Sequence, residues 1–345
     1  MTPFTLLIMM TSLAIGTTLA IMGNHWLLVW MGLEINTLAI IPLMIKHHHP
    51  RATEATMKYF LTQATASALI LFSTMMNAWT TGEWEMKEMT PTTSNMLTIA
   101  LLTKLGLAPM HFWLPEVLQG LDLLTGLILS TWQKIAPMTI IFSLHNTLNP
   151  FLLTTLGLTS VLVGGWTGLN QTQLRKILAY SSIANLGWMM TILPFSPTLM
   201  MMNFVLYLIM TSTMFLTMKL LNTTKINSLT MTWTKTPTLA SMTTITLLSL
   251  GGLPPMTGFM PKWLIMQELT NQHNSMLATT IAISALLSLF FYLRLSYSIM
   301  LTQSPNITNS TSTWRQKSNQ FITPLTMMII LTLFMLPLTP NILSL

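Results

Sequence analysis

The chain is a succession of apolar stretches, each about twenty residues long, parted by short polar breaks. A helix needs about twenty mostly apolar residues to cross the hydrocarbon of a bilayer. That pattern leaves lipid as the solvent and helices as the building element. We read the stretches at 3–22, 25–45, 57–79, 93–118, 123–144, 151–169, 177–195, 199–221, 238–268, 276–300 and 322–342. Gly23-Asn24, Pro50-Arg51, Asn149-Pro150 and Ser196-Pro197 punctuate the intervals. About eleven spans in 345 residues leave only short loops and no room for a folded soluble domain. Charge agrees: 7% of residues are Asp, Glu, Lys or Arg, against roughly 25% in soluble chains. The expected fold is therefore an all-α integral membrane protein.

The N-terminal segment MTPFTLLIMMTSLAIGTTLAIM has neither a basic flank nor an Arg-rich amphipathic stretch, and reads as the first span. Alternating the spans sends Lys46, Arg51, Arg175, Lys176, Lys225, Lys235, Arg315 and Lys317 to one face, with Lys58 and Lys219 at its edge. The other face receives Lys87 beside Glu83, Glu85 and Glu88. By the positive-inside rule the first face is cytoplasmic or matrix. The N-terminus starts on that side and the C-terminus ends on the opposite one. The net charge of +7 is thus a topology signal, with no case for nucleic-acid binding. The 32 methionines have two readings: flexible filling of irregular gaps, or the translation bias of a mitochondrial genome.

Two of the stretches are too long for one straight helix, and both contain Gly and Pro. Residues 106–116 read GLAPMHFWLPE and residues 252–262 read GLPPMTGFMPK. At a constant offset of 146, Gly106, Leu107, Pro109, Met110 and Pro115 match Gly252, Leu253, Pro255, Met256 and Pro261. Five spans per half is an odd number, so the halves are expected to be inverted repeats: 1–144 and 145–300, each with one broken helix. Residues 301–345 then supply a polar loop and a C-terminal helix. Matched broken helices in two halves point to a transporter. A break in hydrocarbon is tolerated only where protein or trapped water satisfies the freed backbone. An ordinary pair of kinks is the plainer alternative.

Four charges fall inside spans: Glu34, Lys104, Lys134 and Lys262. Each is costly there, roughly 2.5 to 3.5 kcal/mol on insertion scales. Burial disfavours a charged lysine and a nearby carboxylate favours it. A lysine whose partner can move is therefore a proton site of adjustable affinity, a role closed to arginine. The alternative is a set of static ion pairs that fix packing. Glu116, at the repeat position of Lys262, and His111, inside the first break, are secondary candidates; His111 reads equally as a relay or as polar filler. Arg294 reads as snorkelling to the interface. The run KHHHP at 46–50 is a poor metal site, because adjacent residues do not share a face. There is no cysteine, which excludes thiolate and iron–sulfur sites, and no pair of mid-span histidines or nucleotide-binding glycine motif. The chain is expected to hold no cofactor.

The segments MGLEINTLAIIPL (31–43), TEATMKYFLTQATAS (53–67), KLGLAPMHFWLPEV (104–117), TWQKIAP (131–137), GLNQTQLRKILAYSSIANLGWM (168–189) and SLGGLPPMTGFMPKW (249–263) resemble the chain 2 family of mitochondrial NADH:ubiquinone oxidoreductase, respiratory complex I. The resemblance is ordered through the first three quarters of the chain and loose in about the last eighty residues. It implies an antiporter-like subunit of the membrane arm, shortened at its N-terminus relative to bacterial relatives. It also implies the inner mitochondrial membrane, with the N-terminus in the matrix and the C-terminus in the intermembrane space. The implied activity is proton translocation coupled to electron transfer from NADH to ubiquinone in other subunits, by a non-redox part of a translocase. NADH, FMN, iron–sulfur clusters and ubiquinone would belong to the complex as a whole. The implied partners are the other membrane-arm subunits and lipid. Residue by residue, Glu34 pairs with Lys104, Lys134 is the central relay lysine, and Lys262 is the lysine of the second broken helix. Family members often carry His where this chain has Asn185, so that position is given no protonic role. Two other functions stay open: a subunit of a sodium/proton antiporter, and a scaffold that pumps nothing, against which the four retained charges speak.

Overall fold

In the computed structural model the apolar stretches are helices, and the structure describes residues 3–46, 48–86, 88–234, 236–301 and 322–338. Lys87, Lys235, Arg315, Lys317, the 302–321 loop and the end of the last expected span lie outside the described residues. In chain order the helices are α1 (Pro3–Met22), α2 (Trp26–Met44), α3 (Pro50–Thr81), α4 (Pro91–Leu105), α5 (Trp113–Gly120), α6 (Leu123–Ser130), α7 (Trp132–Ser143) and α8 (Pro150–Gly168). They continue as α9 (Leu174–Ile192), α10 (Pro197–Leu221), α11 (Ile226–Thr230), α12 (Pro237–Gly251), α13 (Phe259–Asn271), α14 (Ser275–Leu301) and α15 (Ile322–Phe334). Six of these, α1, α2, α3, α8, α10 and α14, are each long and apolar enough to cross a membrane unaided.

Most helix ends fall within a turn of the expected spans, with two corrections. The third helix begins at Pro50, not at 57, so the expected 46–56 loop is helical over its second half. Pro50 occupies the first helical turn, where its missing donor is harmless, and the His49 side chain accepts from Arg51 N at 3.1 Å. The first two turns are polar, which is why an apolar criterion passes over them. At 32 residues, α3 is about 48 Å long, against a hydrocarbon core of about 30 Å. The second correction is the 123–144 span, which is interrupted at Thr131 between α6 and α7. Pro137 has no donor for the Gln133 carbonyl and crowds it, and the turn before it tightens to Lys134 N → Thr131 O at 3.2 Å.

Both long broken stretches are interrupted as expected. Helix α4 ends at Gly106 with φ 79°, and α12 ends at Gly252 with φ 81°. Only glycine adopts this left-handed cap without penalty. The two helices are each 15 residues long. Their starts, their ends, their cap glycines and the starts of α5 and α13 all recur at the 146-residue offset.

The chain divides into two compact units, 1–160 and 161–345, with the boundary inside α8. In the first, α1 lies along α2, α3 packs on α2, α4 and α5, and α7 contacts α1, α2, α4 and α6. In the second, α14 packs on α9, α11, α12 and α13, and α10 on α9, α12, α13 and α15. Hydroxyls on exposed faces are turned inward: Thr11, Thr18, Thr65 and Thr279 each donate to the carbonyl three residues back. Such back-bonding hides the only proton the side chain would otherwise show to lipid.

Candidate functional site

The first break is closed by uncharged groups. Leu102 O accepts from both Gly106 N and Leu107 N, each at 3.0 Å. Thr103 O accepts from Trp113 Nε1 at 3.1 Å, and Lys104 O from Gln63 Nε2 at 3.3 Å. Trp113 opens α5 and meets Tyr59 of α3 edge-on at 5.8 Å. The freed carbonyls of α4 are thus satisfied by α3 and α5, as hydrocarbon requires, and the Lys104 side chain is not needed for the purpose. Lys104 is 7% exposed, and its Nζ has no hydrogen-bond partner.

The expected pairing of Glu34 with Lys104 is corrected. Glu34 is half-buried, its Oε2 is also without a partner, and the two groups interact through space rather than by a closed ion pair. The two groups sit on different helices, α2 and α4. Lys134 is 3% exposed and lies in the first turn of α7, directly after the interruption at Thr131, rather than inside a continuous helix.

Lys104 and Lys134 line one cavity of about 20 Å³, together with Asn36, Tyr59, Gln63 and Gln133. The space admits a water molecule, for which about 10–15 Å³ suffices. Gln133 Nε2 donates to Asn36 O at 3.0 Å, tying α7 to α2. Asn36, Gln63 and Gln133 are the site residues that the sequence reading missed. All three lie in the motifs that carry the resemblance, but uncharged carboxamides do not stand out in an apolar stretch as charges do.

In the second unit Lys262 lies in the first turn of α13, and its Nζ donates to Gly251 O at 2.8 Å. A cation on the last carbonyls of α12 is a favourable C-terminal cap. Thr257, inside the break and 1% exposed, donates its hydroxyl to Thr332 O of α15.

The secondary candidates lie apart from the cavity. Glu116 Oε2 accepts from Lys58 Nζ at 2.6 Å, and Lys58 also pairs with Glu54 at 2.7 Å. The Glu116 side chain is half-exposed, so it joins α5 to the start of α3 and is not part of the buried set. His111 is 3% exposed, donates from Nδ1 to Pro109 O at 3.2 Å and leans on Phe112. Arg294 Nη1 donates to Leu169 O at 2.6 Å, just past the end of α8. Among the described residues no three of His, Asp and Glu gather as metal ligands do.

Comparison with known proteins decides the family. Residues 23–288 match the family described as NADH:quinone oxidoreductase/Mrp antiporter, TM, and residues 289–343 the NADH dehydrogenase subunit 2 C-terminus. The NADH-ubiquinone oxidoreductase chain 2 of Xenopus laevis is 62% identical over 341 residues, covering 99% of each chain. That of Squalus acanthias is 63% identical over 343 residues, again covering 99% of each. This chain belongs to the NADH-ubiquinone oxidoreductase chain 2 family. Membership extends through the C-terminal region, where the sequence reading saw only loose similarity. A chain of respiratory complex I from Thermus thermophilus shares the fold, with TM-score 0.83 and 25% identity over 97% of this chain and 80% of that one. With its six self-sufficient apolar helices, this member of the chain 2 family is a multi-pass membrane protein.

Proposed function

We propose that the chain is a core membrane-arm subunit of respiratory complex I that moves protons across the inner mitochondrial membrane. The movement is coupled to electron transfer from NADH to ubiquinone in other subunits. The observation that carries this reading is the polar cavity of the first unit, lined by two buried lysines and three carboxamides, in a chain that matches chain 2 relatives from end to end. The subunit is itself non-redox and cofactor-free, part of a translocase whose NADH, FMN, iron–sulfur and ubiquinone sites lie in other chains. Its partners are the other membrane-arm subunits and lipid. On this reading about eleven spans form two inverted five-helix repeats (1–144 and 145–300) plus a C-terminal helix within 301–345, with the N-terminus in the matrix and the C-terminus in the intermembrane space. The recurrence of helix and cap boundaries at an offset of 146 supports the repeat.

Within the first unit, Lys134 is the group that takes up and releases a proton, and Lys104, under the field of Glu34, biases it. The two lysines share a cavity, and charge on one disfavours charge on the other in a low-dielectric interior. Lys134→Met keeps most of the volume, so it should leave the complex assembled and lower the protons moved per NADH oxidised. Lys134→Arg should do the same, because its charge cannot be released. Wild-type pumping in the assembled Arg variant would make Lys134 an electrostatic strut and sink the relay. A sodium/proton antiporter subunit is the second reading, favoured by the family description that includes Mrp antiporters. Sodium-dependent transport by the purified complex would distinguish it.

A further inference from the structure

The polar groups around the first-unit cavity are not equivalent. Gln63 Nε2 is committed to the Lys104 carbonyl, and Gln133 Nε2 to the Asn36 carbonyl. The Asn36 carboxamide is committed to no protein group. It is 2% exposed, and neither Oδ1 nor Nδ2 has a protein partner. A buried carboxamide in that condition is costly, yet the fold makes room for it. A Cβ added at Gly16 of α1 would stand 2.5 Å from Asn36 Oδ1 and 3.0 Å from the Gly32 carbonyl oxygen. Glycine at 16 is the reason the carboxamide can lie where it does. Lys104 Nζ, the other unpartnered group on the same cavity, completes a polar surround large enough for one water.

The geometry points to Asn36 as the positioning residue for a water molecule held between Lys104 and Lys134, with Gly16 supplying the space for its carboxamide. This rests on the proton-translocation reading above. A water that passes a proton between two lysines must accept from one side and donate to the other. A carboxamide offers both a donor and an acceptor and does not titrate, so it orients the water without competing for the proton. A hydrophobe of the same size would leave a water there with fewer groups to orient it, and a carboxylate would trap the charge.

The test uses the intact complex. Asn36→Leu keeps the side-chain shape and removes both hydrogen-bonding ends. It should lower the protons moved per NADH oxidised and enlarge the solvent-deuterium isotope effect on pumping, with the amount of assembled complex unchanged. Asn36→Thr restores a donor and an acceptor and should recover part of the loss. Gly16→Ala displaces the carboxamide without changing any polar group and should give a weaker form of the same loss. A water-resolving map of the unmodified complex should contain density within hydrogen-bond distance of Asn36 and Lys104. Wild-type pumping in Asn36→Leu, or a map without that density, would overturn the assignment. If Asn36→Leu does not assemble, Gly16→Ala and the map decide: loss with density supports it, and either one failing overturns it. Lys134→Met separates the two levels. Normal pumping there removes the translocation reading itself, whereas impaired pumping there with normal pumping in Asn36→Leu removes only the role of Asn36.

Discussion

The broken helices α4–α5 and α12–α13 share where each break begins and ends, their left-handed glycine and paired prolines, and differ in what satisfies the freed backbone. In the first, Gln63 and Trp113 take the open carbonyls, and Lys104 is left with its ammonium on the cavity. In the second, Lys262 itself takes the carbonyl of Gly251, and Thr257 reaches across to α15. The lesson is that a break in hydrocarbon specifies only that its carbonyls be met. Whether a neutral side chain or the lysine meets them decides whether that lysine also carries structural duty. Lys104 is released from such duty and Lys262 is not.

The largest test of this contrast is steric. A Cβ at Gly258 would overlap the Ser249 carbonyl oxygen, and backbone cannot step aside. Gly258→Ala should cost at or above the top of the roughly 1–3 kcal/mol range for overpacking and sharply reduce the assembled complex on native gels. Phe112 holds the corresponding place in the first break and is 70% exposed, so Phe112→Ala should assemble normally. Next comes the lysine pair. Lys262→Met leaves the Gly251 carbonyl unmet and should lower thermal stability by about 1–3 kcal/mol, together with pumping. Lys104→Met breaks no hydrogen bond to a protein group and should lower pumping alone. Equal stability losses in the two would break the comparison.

A smaller effect separates the cap glycines. Gly106→Ala and Gly252→Ala should each cost about 1–2 kcal/mol for the left-handed backbone. Their functional outcomes should diverge. At 252 the new methyl lies 2.9 Å from Lys262 Nζ and would push it from its carbonyl; at 106 it meets Leu114 and Trp113. Proton-to-NADH ratios should therefore fall further for Gly252→Ala. The smallest effect is expected at Glu116→Gln. Its ion pair with Lys58 is half-exposed, so the variant should pump normally, and any stability loss should fade as salt is added. Impaired pumping there would restore Glu116 to the functional set as the counterpart of Lys262.

Much of this was legible in the residues. Spans follow from apolar length, and both breaks from Gly and Pro placed where a span should continue; that Gly106 and Gly252 are the caps is seen in the backbone. The four intramembrane charges could be picked out because charge in hydrocarbon is rare. Four things were hidden. Helix α3 begins in a polar segment, and hydropathy is blind to helix that leaves the membrane. The interruption at Thr131 lies inside a stretch that the apolar pattern reads as continuous. Asn36, Gln63 and Gln133 become a site only when α2, α3 and α7 bring them to one cavity, and that convergence is tertiary. The expected Glu34–Lys104 contact depends on side-chain reach between two helices, which no spacing along the chain reports.

The threonines that return their hydroxyls to their own helix have a consequence for how the chain meets an apolar solvent. On their exposed faces Thr11, Thr18, Thr65 and Thr279 present methyl groups and no free proton. Helix α9, absent from the six self-sufficient spans, does likewise inside the protein, where Ser181, Ser182 and Thr191 bond to Leu178, Ala179 and Trp188 carbonyls. A transfer scale that treats each hydroxyl as unsatisfied therefore undercounts the lipid compatibility of this sequence. At its outer faces a threonine therefore costs little more than an alanine would.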